Sequence, residues 1–185
     1  MSSQAQRGLQ LIEAAAAAGS AVGLTKLGVL YDEGASELTG GASDPWRAAK
    51  HFEAAAATGS ALGLFNHGWA LVHGIGTGRD VVQGLDLWRE AAALAPEDGS
   101  EEAAYYLYEE RHLMSDELAA AVRPARCLRL AAALGFDKAI QRLRRAERRR
   151  AMGPLTKERS GEGRFVRDDK ARSLTAAELR GSDFF

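Results

Sequence analysis

Apolar residues recur along most of the chain at three- and four-residue spacing, the period of a helix with one buried face. Leu24, Leu27 and Tyr31 keep this spacing, and Leu64, Gly68 and Leu71 keep it again further on. Alanine-rich runs at Ala14–Ala18, Ala54–Ala57, Ala91–Ala93 and Ala131–Ala133 supply strong helix formers. Each run is followed by a glycine, in turn Gly19, Gly59, Gly99 and Gly135. A glycine just past a last turn takes the left-handed cap, so each unit reads as helix, stop and second helix. Gly34 and Gly74 close the second helices. Asp44 and Asp80 open the next ones as N-caps, and Pro45 suits a first helical position. From those aspartates the two units run in step. Ala48 matches Gly84, His51-Phe52 matches Leu87-Trp88, and Ala55-Ala56 matches Ala91-Ala92. Only the preceding loop differs in length, which is where a stacked array tolerates insertions.

Two glycines break the helix rule in an informative way. Gly28 and Gly68 sit inside helical stretches, where glycine costs about 1 kcal/mol relative to alanine. That cost is understandable where a neighbouring helix must come close, so Gly28, Ala48, Gly68 and Gly84 are expected at helix crossings. The expected core is Leu27, Tyr31, Phe52, Leu64, Leu71, Leu87, Trp88, Leu128 and Leu134. One such hairpin cannot bury its apolar face alone, and stacked neighbours make one continuous core. Ser20, Ser60 and Ser100 recur with the repeat and read as N-cap residues rather than nucleophiles.

Taken in order, the pattern is A-x-x-x-L-G-x-x-Y-x-x-G, a loop, then D-x-x-x-A-x-x-W-x-x-x-A-A and a closing G. It resembles the Sel-1-like repeat, a relative of the tetratricopeptide repeat. Unit one carries the resemblance at Leu27, Gly28, Tyr31, Gly34, Asp44, Ala48, Ala55, Ala56 and Gly59. Unit two carries it at Gly68, Gly74, Gly76, Asp80, Ala91 and Ala92. The tryptophan position holds His51, Leu87 and Cys127 instead, and the third unit has Tyr108, Met114 and Pro124 where small residues are expected. The resemblance implies an all-α chain, a short right-handed α-solenoid of about three helical hairpins, to which the residues beyond it add a basic, extended C-terminal arm. Residues 1–150 form the solenoid, with units near 19–58, 59–98 and 99–134 and flanking helices at 4–18 and 136–150; residues 151–185 form the tail. It further implies protein–protein interaction through a concave groove lined by the first helix of each hairpin. Repeat position puts Lys26, Asn66, His67 and His73 at that groove.

Charge changes the picture because it is unevenly shared. The whole chain has a formal net charge of −1. Residues 1–141 hold 11 Lys/Arg against 18 Asp/Glu, and residues 142–185 hold 13 against 7. An acidic body bears a basic tail, and opposite fields of this kind steer charged partners. The sharpest feature is Arg142-Leu143-Arg144-Arg145-Ala146-Glu147-Arg148-Arg149-Arg150. Arg144, Arg145, Arg148, Arg149 and Arg150 are candidate contacts for an acidic protein surface or, alternatively, for RNA backbone in a ribonucleoprotein. No aromatic residues interleave with these arginines, so any nucleic-acid contact would be blind to sequence. Beyond them, residues 153–173 lack periodicity and read as an extended arm. Phe165, Phe184 and Phe185 are apolar anchors expected to dock on another subunit.

Other chemistry finds little support in the residues. The single cysteine, Cys127, allows neither an internal disulfide nor a cysteine-rich zinc site. The four histidines, at 51, 67, 73 and 112, show no metal-ligand spacing. His73-Gly74-Ile75-Gly76-Thr77-Gly78-Arg79-Asp80 resembles a phosphate loop but follows a helix and lacks the Lys-Ser/Thr ending; the repeat turn explains its glycines. The acidic pairs Asp32-Glu33, Glu101-Glu102 and Glu109-Glu110 read as solvated faces. The expectation is a non-enzyme with no cofactor, no metal, no small-molecule substrate and no membrane span, its partners being other protein subunits. The N-terminal stretch reads as a helix of a soluble protein in a reducing compartment, cytoplasmic or organellar.

Overall fold

The computed structural model describes residues 3–34, 40–151, 155–157 and 165–167. Contacts divide the chain into two units, Met1–Ala139 and Ile140–Phe185. The first unit is built from α1 (Ser3–Ala17), α2 (Ala21–Asp32), α3 (Pro45–Ala56), α4 (Ala61–His73), α5 (Val81–Ala93) and α6 (Ser100–Glu109). A 3-10 turn (Glu110–Leu113), the short α7 (Asp116–Val122) and α8 (Pro124–Ala133) follow. Helix α9 (Asp137–Ala151) begins in the first unit and ends in the second.

Side chains at the helix starts fix the register. Asp44 Oδ1 accepts from Arg47 N at 3.1 Å and Asp80 Oδ1 from Gln83 N at 3.0 Å. Ser20 and Ser60 each accept from the backbone N–H three residues on, at 3.4 Å. These bonds satisfy donors that the first turn of a helix cannot pair internally. Ser100 departs from the expected role. Gly99, with φ +96°, occupies the cap position, and Ser100 is completely buried. The Ser100 backbone N–H donates to the Glu97 carbonyl at 3.1 Å, and its hydroxyl donates to the same oxygen. The loop Ala95–Asp98 brings that carbonyl under the helix start, so the hydroxyl turns backward rather than capping.

Each first helix packs on its second: α2 on α3, α4 on α5 and α6 on α8. The hairpins join because α3 packs on α4 and α5 on α6, while α1 covers α2. The first helices also touch one another in succession, α2 to α4 and α4 to α6. They form one row, and the arrangement is an α-solenoid. Its core holds Leu27, Phe52, Leu64, Leu71, Leu85, Trp88, Leu107 and Leu128, all buried. Tyr31, Leu87 and Leu134, also expected in the core, are only half-buried.

The interior glycines do stand at close crossings. A Cβ on Gly28 would overlap the Phe52 ring. A Cβ on Gly68 would lie 2.7 Å from the Trp88 indole and 2.9 Å from the Gly84 carbonyl oxygen. In return, a Cβ on Gly84 would lie 2.8 Å from the Gly68 oxygen. The bare backbones of α4 and α5 thus meet, and Trp88 fills the space beside them.

The third unit solves its turn differently. Where unit two passes through Gly74 in the left-handed conformation, this unit inserts the 3-10 turn and α7. Ser115 caps α7 by accepting from Leu118 N at 3.2 Å, and Arg123 takes φ 52° at the junction with α8. The pairing of α6 with α8 survives, with Leu107, Leu128 and Ala131 buried.

In the second unit, Leu155–Lys157 pairs antiparallel with Phe165–Arg167, Lys157 standing opposite Phe165. Strands of three residues are too short for alternation to register in a sequence, so this ladder was not expected in an arm without periodicity. Phe184 and Phe185 lie outside the described residues.

Candidate functional site

The row of first helices leaves a cleft between α2 and α4, floored by α3. Val29 and Asp32 come from α2, Ala48, Ala49 and Phe52 from α3, and Phe65, Asn66 and Trp69 from α4. Pro45 and Ile75 stand at its mouth, and Tyr106 of α6 closes its far side. The cleft encloses about 240 Å³. Gly76 keeps the mouth narrow: a Cβ there would overlap the Pro45 carbonyl, so the turn after α4 sits directly on the start of α3. Next to Pro45, Trp46 is 67% exposed, and Ile75 and Val29 are 39% and 37% exposed.

One wall is an aromatic cluster. Trp69 meets Tyr106 edge-on at 4.8 Å between ring centroids, and Phe65 stacks on Tyr106 at 5.7 Å. Behind them Trp88 is fully buried and donates its indole N–H to the Phe65 carbonyl at 3.0 Å. That bond holds α5 to α4 and fixes the ring set from behind. His73 lies 4.1 Å from Trp69, ring to ring, at the exposed end of α4. Rings in such arrangements contribute both buried area and directional contacts.

The polar groups of the cleft are few. The Asn66 side chain donates its N–H to the Leu62 carbonyl at 2.8 Å, which orients the amide and leaves its oxygen as an acceptor. Asp32 is exposed, and no ion pair engages it among the described residues. Arg79 donates to the Val72 carbonyl at 2.9 Å and so closes the end of α4 below the mouth.

Of the residues expected at the groove, Asn66 lines the cleft. His73 touches its aromatic wall through Trp69. Lys26 is exposed on α2 outside the lining. His67 is half-buried and senses the Glu53 carboxylate of α3; burial holds its pKa below the usual value, partly opposed by that carboxylate. His51 stacks on Tyr31 at 5.3 Å with planes 5° apart, and burial lowers its pKa as well. The aromatic wall itself was missed. Its signal is Asn66, Trp69 and His73 at i, i+3 and i+7, one helix face that already held two expected residues.

Arg144, Arg145, Arg148, Arg149 and Arg150 are exposed along α9. Cys127 is half-buried, donates to the Val122 carbonyl at 3.4 Å, and burial raises its pKa; the thiol form is favoured over the nucleophilic thiolate. Among the described residues no group of three or more His, Cys, Asp or Glu side chains is placed to hold a metal ion. Among them, too, no helix is long and apolar enough to cross a membrane.

No family model matches this sequence, and no curated protein matches it. Solved structures do. A protective antigen of uropathogenic Escherichia coli strains displaying an SLR fold superposes with a TM-score of 0.59 at 20% identity. A Sel1 repeat protein from Oxalobacter formigenes superposes with a TM-score of 0.57 at 23% identity. The matches cover 76% and 77% of this chain, which spans 29% and 53% of those longer proteins. With its stacked hairpins, glycine crossings and aspartate-capped second helices, the chain has the Sel1-like repeat fold.

Proposed function

We propose that this chain is a non-catalytic protein–protein interaction module serving as an accessory or assembly subunit of a larger complex. The observation that carries this reading is the α2–α4 cleft. It is open, mostly apolar and walled by aromatic rings, with Asn66 and Asp32 as its polar groups. Its volume, about 240 Å³, falls below the roughly 300–1,000 Å³ of pockets that enclose small ligands, and it suits inserted side chains of a protein chain instead. Partly exposed tryptophan and tyrosine beside a buried apolar floor is the composition of protein contact sites. Stacked-hairpin folds use their extended surfaces in this way.

The C-terminal arm is a second contact element in this reading. Arg144, Arg145, Arg148, Arg149 and Arg150 would meet an acidic surface, and Phe165, Phe184 and Phe185 would supply apolar anchors. An alternative, RNA backbone along the same arginines, is favoured by their exposure on one helix.

Affinity capture of the full chain, the chain ending at residue 150 and the Trp69→Ala variant separates these readings, with and without nuclease. The proposal expects a fixed set of proteins with the full chain, nuclease-resistant, depleted by both changes. Capture that disappears with nuclease and ignores Trp69 would replace it with the ribonucleoprotein reading.

A further inference from the structure

We infer that the α2–α4 cleft receives a lysine- or arginine-bearing segment of a separate partner protein, one cationic side chain lying between the Trp69 and Tyr106 rings and the Asp32 carboxylate. This rests on the interaction reading above and specifies the chemistry of what docks.

Trp69 and Tyr106 bring aromatic rings to the cleft lining. Aromatic faces carry negative potential, and a cation within about 6 Å of a ring centre is attracted to it. Two of the protein's own cations already sit this way on neighbouring rings. Arg47 lies 5.5 Å from the Tyr31 centroid, and Lys138 lies 6.0 Å from the Tyr106 centroid.

The carboxylates stand where a folded helix alone does not favour them. Asp32 is the last residue of α2, with Glu33 as its cap, and Glu109 is the last residue of α6, followed by Glu110. Neither helix has a basic residue in its last turn. A helix C-terminus carries partial negative charge, so a carboxylate there is repelled until a cation joins it. Glu110 faces the His112 imidazole at 3.6 Å. Asp32 has no ion-pair partner among the described residues, and it opens into the cleft.

Size and field agree with this occupant. The cleft has room for one or two side chains and its walls are apolar, which suits the long methylene stem of lysine or arginine. The Asn66 amide oxygen, left free by the bond to Leu62, can accept a backbone N–H of the bound segment. The surrounding unit, Met1–Ala139, carries 11 Lys/Arg against 18 Asp/Glu, a field that draws basic segments and repels acidic ones.

The test is an array of nine-residue peptides of randomised sequence, probed with the full chain and with its Asp32→Asn and Asp32→Lys variants. The expected result is selection of peptides with lysine or arginine at one fixed position. Asp32→Asn should weaken the selected peptide roughly three- to tenfold, and Asp32→Lys should weaken it further. Thermal melts should show both variants as stable as the parent, because a carboxylate has been removed from a helix C-terminus. Selection of acidic or uncharged peptides, unmoved by Asp32→Asn, would overturn the inference and leave the interaction reading standing. No selection at all would sink both. Salt-sensitive self-association of the full chain in sedimentation velocity would assign the cleft to a second copy and overturn the separate partner.

Discussion

The second and third hairpins reach the same pairing by different means. In the second, α4 and α5 meet backbone to backbone at Gly68 and Gly84, and Trp88 locks them with a hydrogen bond to Phe65. In the third, the equivalent positions hold Tyr108 and Pro124, and such an approach is closed to them. A 3-10 turn and the short α7 are inserted, and α6 and α8 then pack through Leu107, Leu128 and Ala131. The hairpin is the invariant of the fold and the turn is negotiable. The difference also shapes the cleft: the tightly locked second hairpin supplies Phe65, Asn66 and Trp69 to its lining, whereas the third supplies Tyr106 alone.

The strongest way to break this contrast is to empty the two equivalent core positions. Trp88→Ala should cost about 3–5 kcal/mol and Leu128→Ala about 2–4, the tryptophan more because it also removes the indole hydrogen bond to the Phe65 carbonyl. Urea unfolding of both variants measures the gap; equal losses would mean the second hairpin is no more tightly locked than the third.

A subtler change tests the crossing itself. Gly68→Ala gains about 1 kcal/mol of helix propensity, yet its Cβ would meet the Trp88 ring at 2.7 Å. Overpacking costs about 1–3 kcal/mol, so the variant should be net destabilised. Tyr108→Ala in the third hairpin should lose about 1 kcal/mol or less, chiefly the Arg111 contact over its ring at 4.4 Å. Chemical unfolding that finds Gly68→Ala stabilised would remove the close approach from the account.

The helix caps give a smaller difference. Asp80→Ala should cost about 1 kcal/mol. Ser115→Ala, at the start of a seven-residue helix without buried residues, should cost about half as much, read from the same chemical unfolding curves.

Protonation gives the smallest effect and a definite sign. Burial holds His51 and His67 below their unfolded pKa near 6.5, so the unfolded chain takes up protons first as pH falls. Their contribution is complete above pH 6.5 and is lost as pH drops through that value toward the lower folded pKa. Thermal midpoints should fall from pH 7.5 to 5.5, and fall less in a His51→Gln, His67→Gln double variant. An identical slope in the variant would place the acid sensitivity elsewhere.

Much of the fold was legible because its signals are local. Alanine runs, Gly19, Gly59, Gly74 and Gly135, and the aspartates 44 and 80 each act within a turn or two of chain. The glycine crossings could be read because an interior glycine has a cost that needs a reason. Ser100 was misread because its partner, the Glu97 carbonyl, is delivered by a loop whose path no residue pattern announces. The cleft was legible only in part. Asn66 follows from helix position, but Tyr106 enters from another hairpin, and Asp32 looked like a solvated helix end until the geometry placed it in the cleft lining.

The docking site proposed for the partner is the cleft between α2 and α4. Hydrogen–deuterium exchange on the full chain, free and with its captured partner, tests it most directly. Exchange should slow at the C-terminal turn of α2, along α4 and around Tyr106. Protection confined to Arg142–Arg150, with the cleft unchanged, would contradict it.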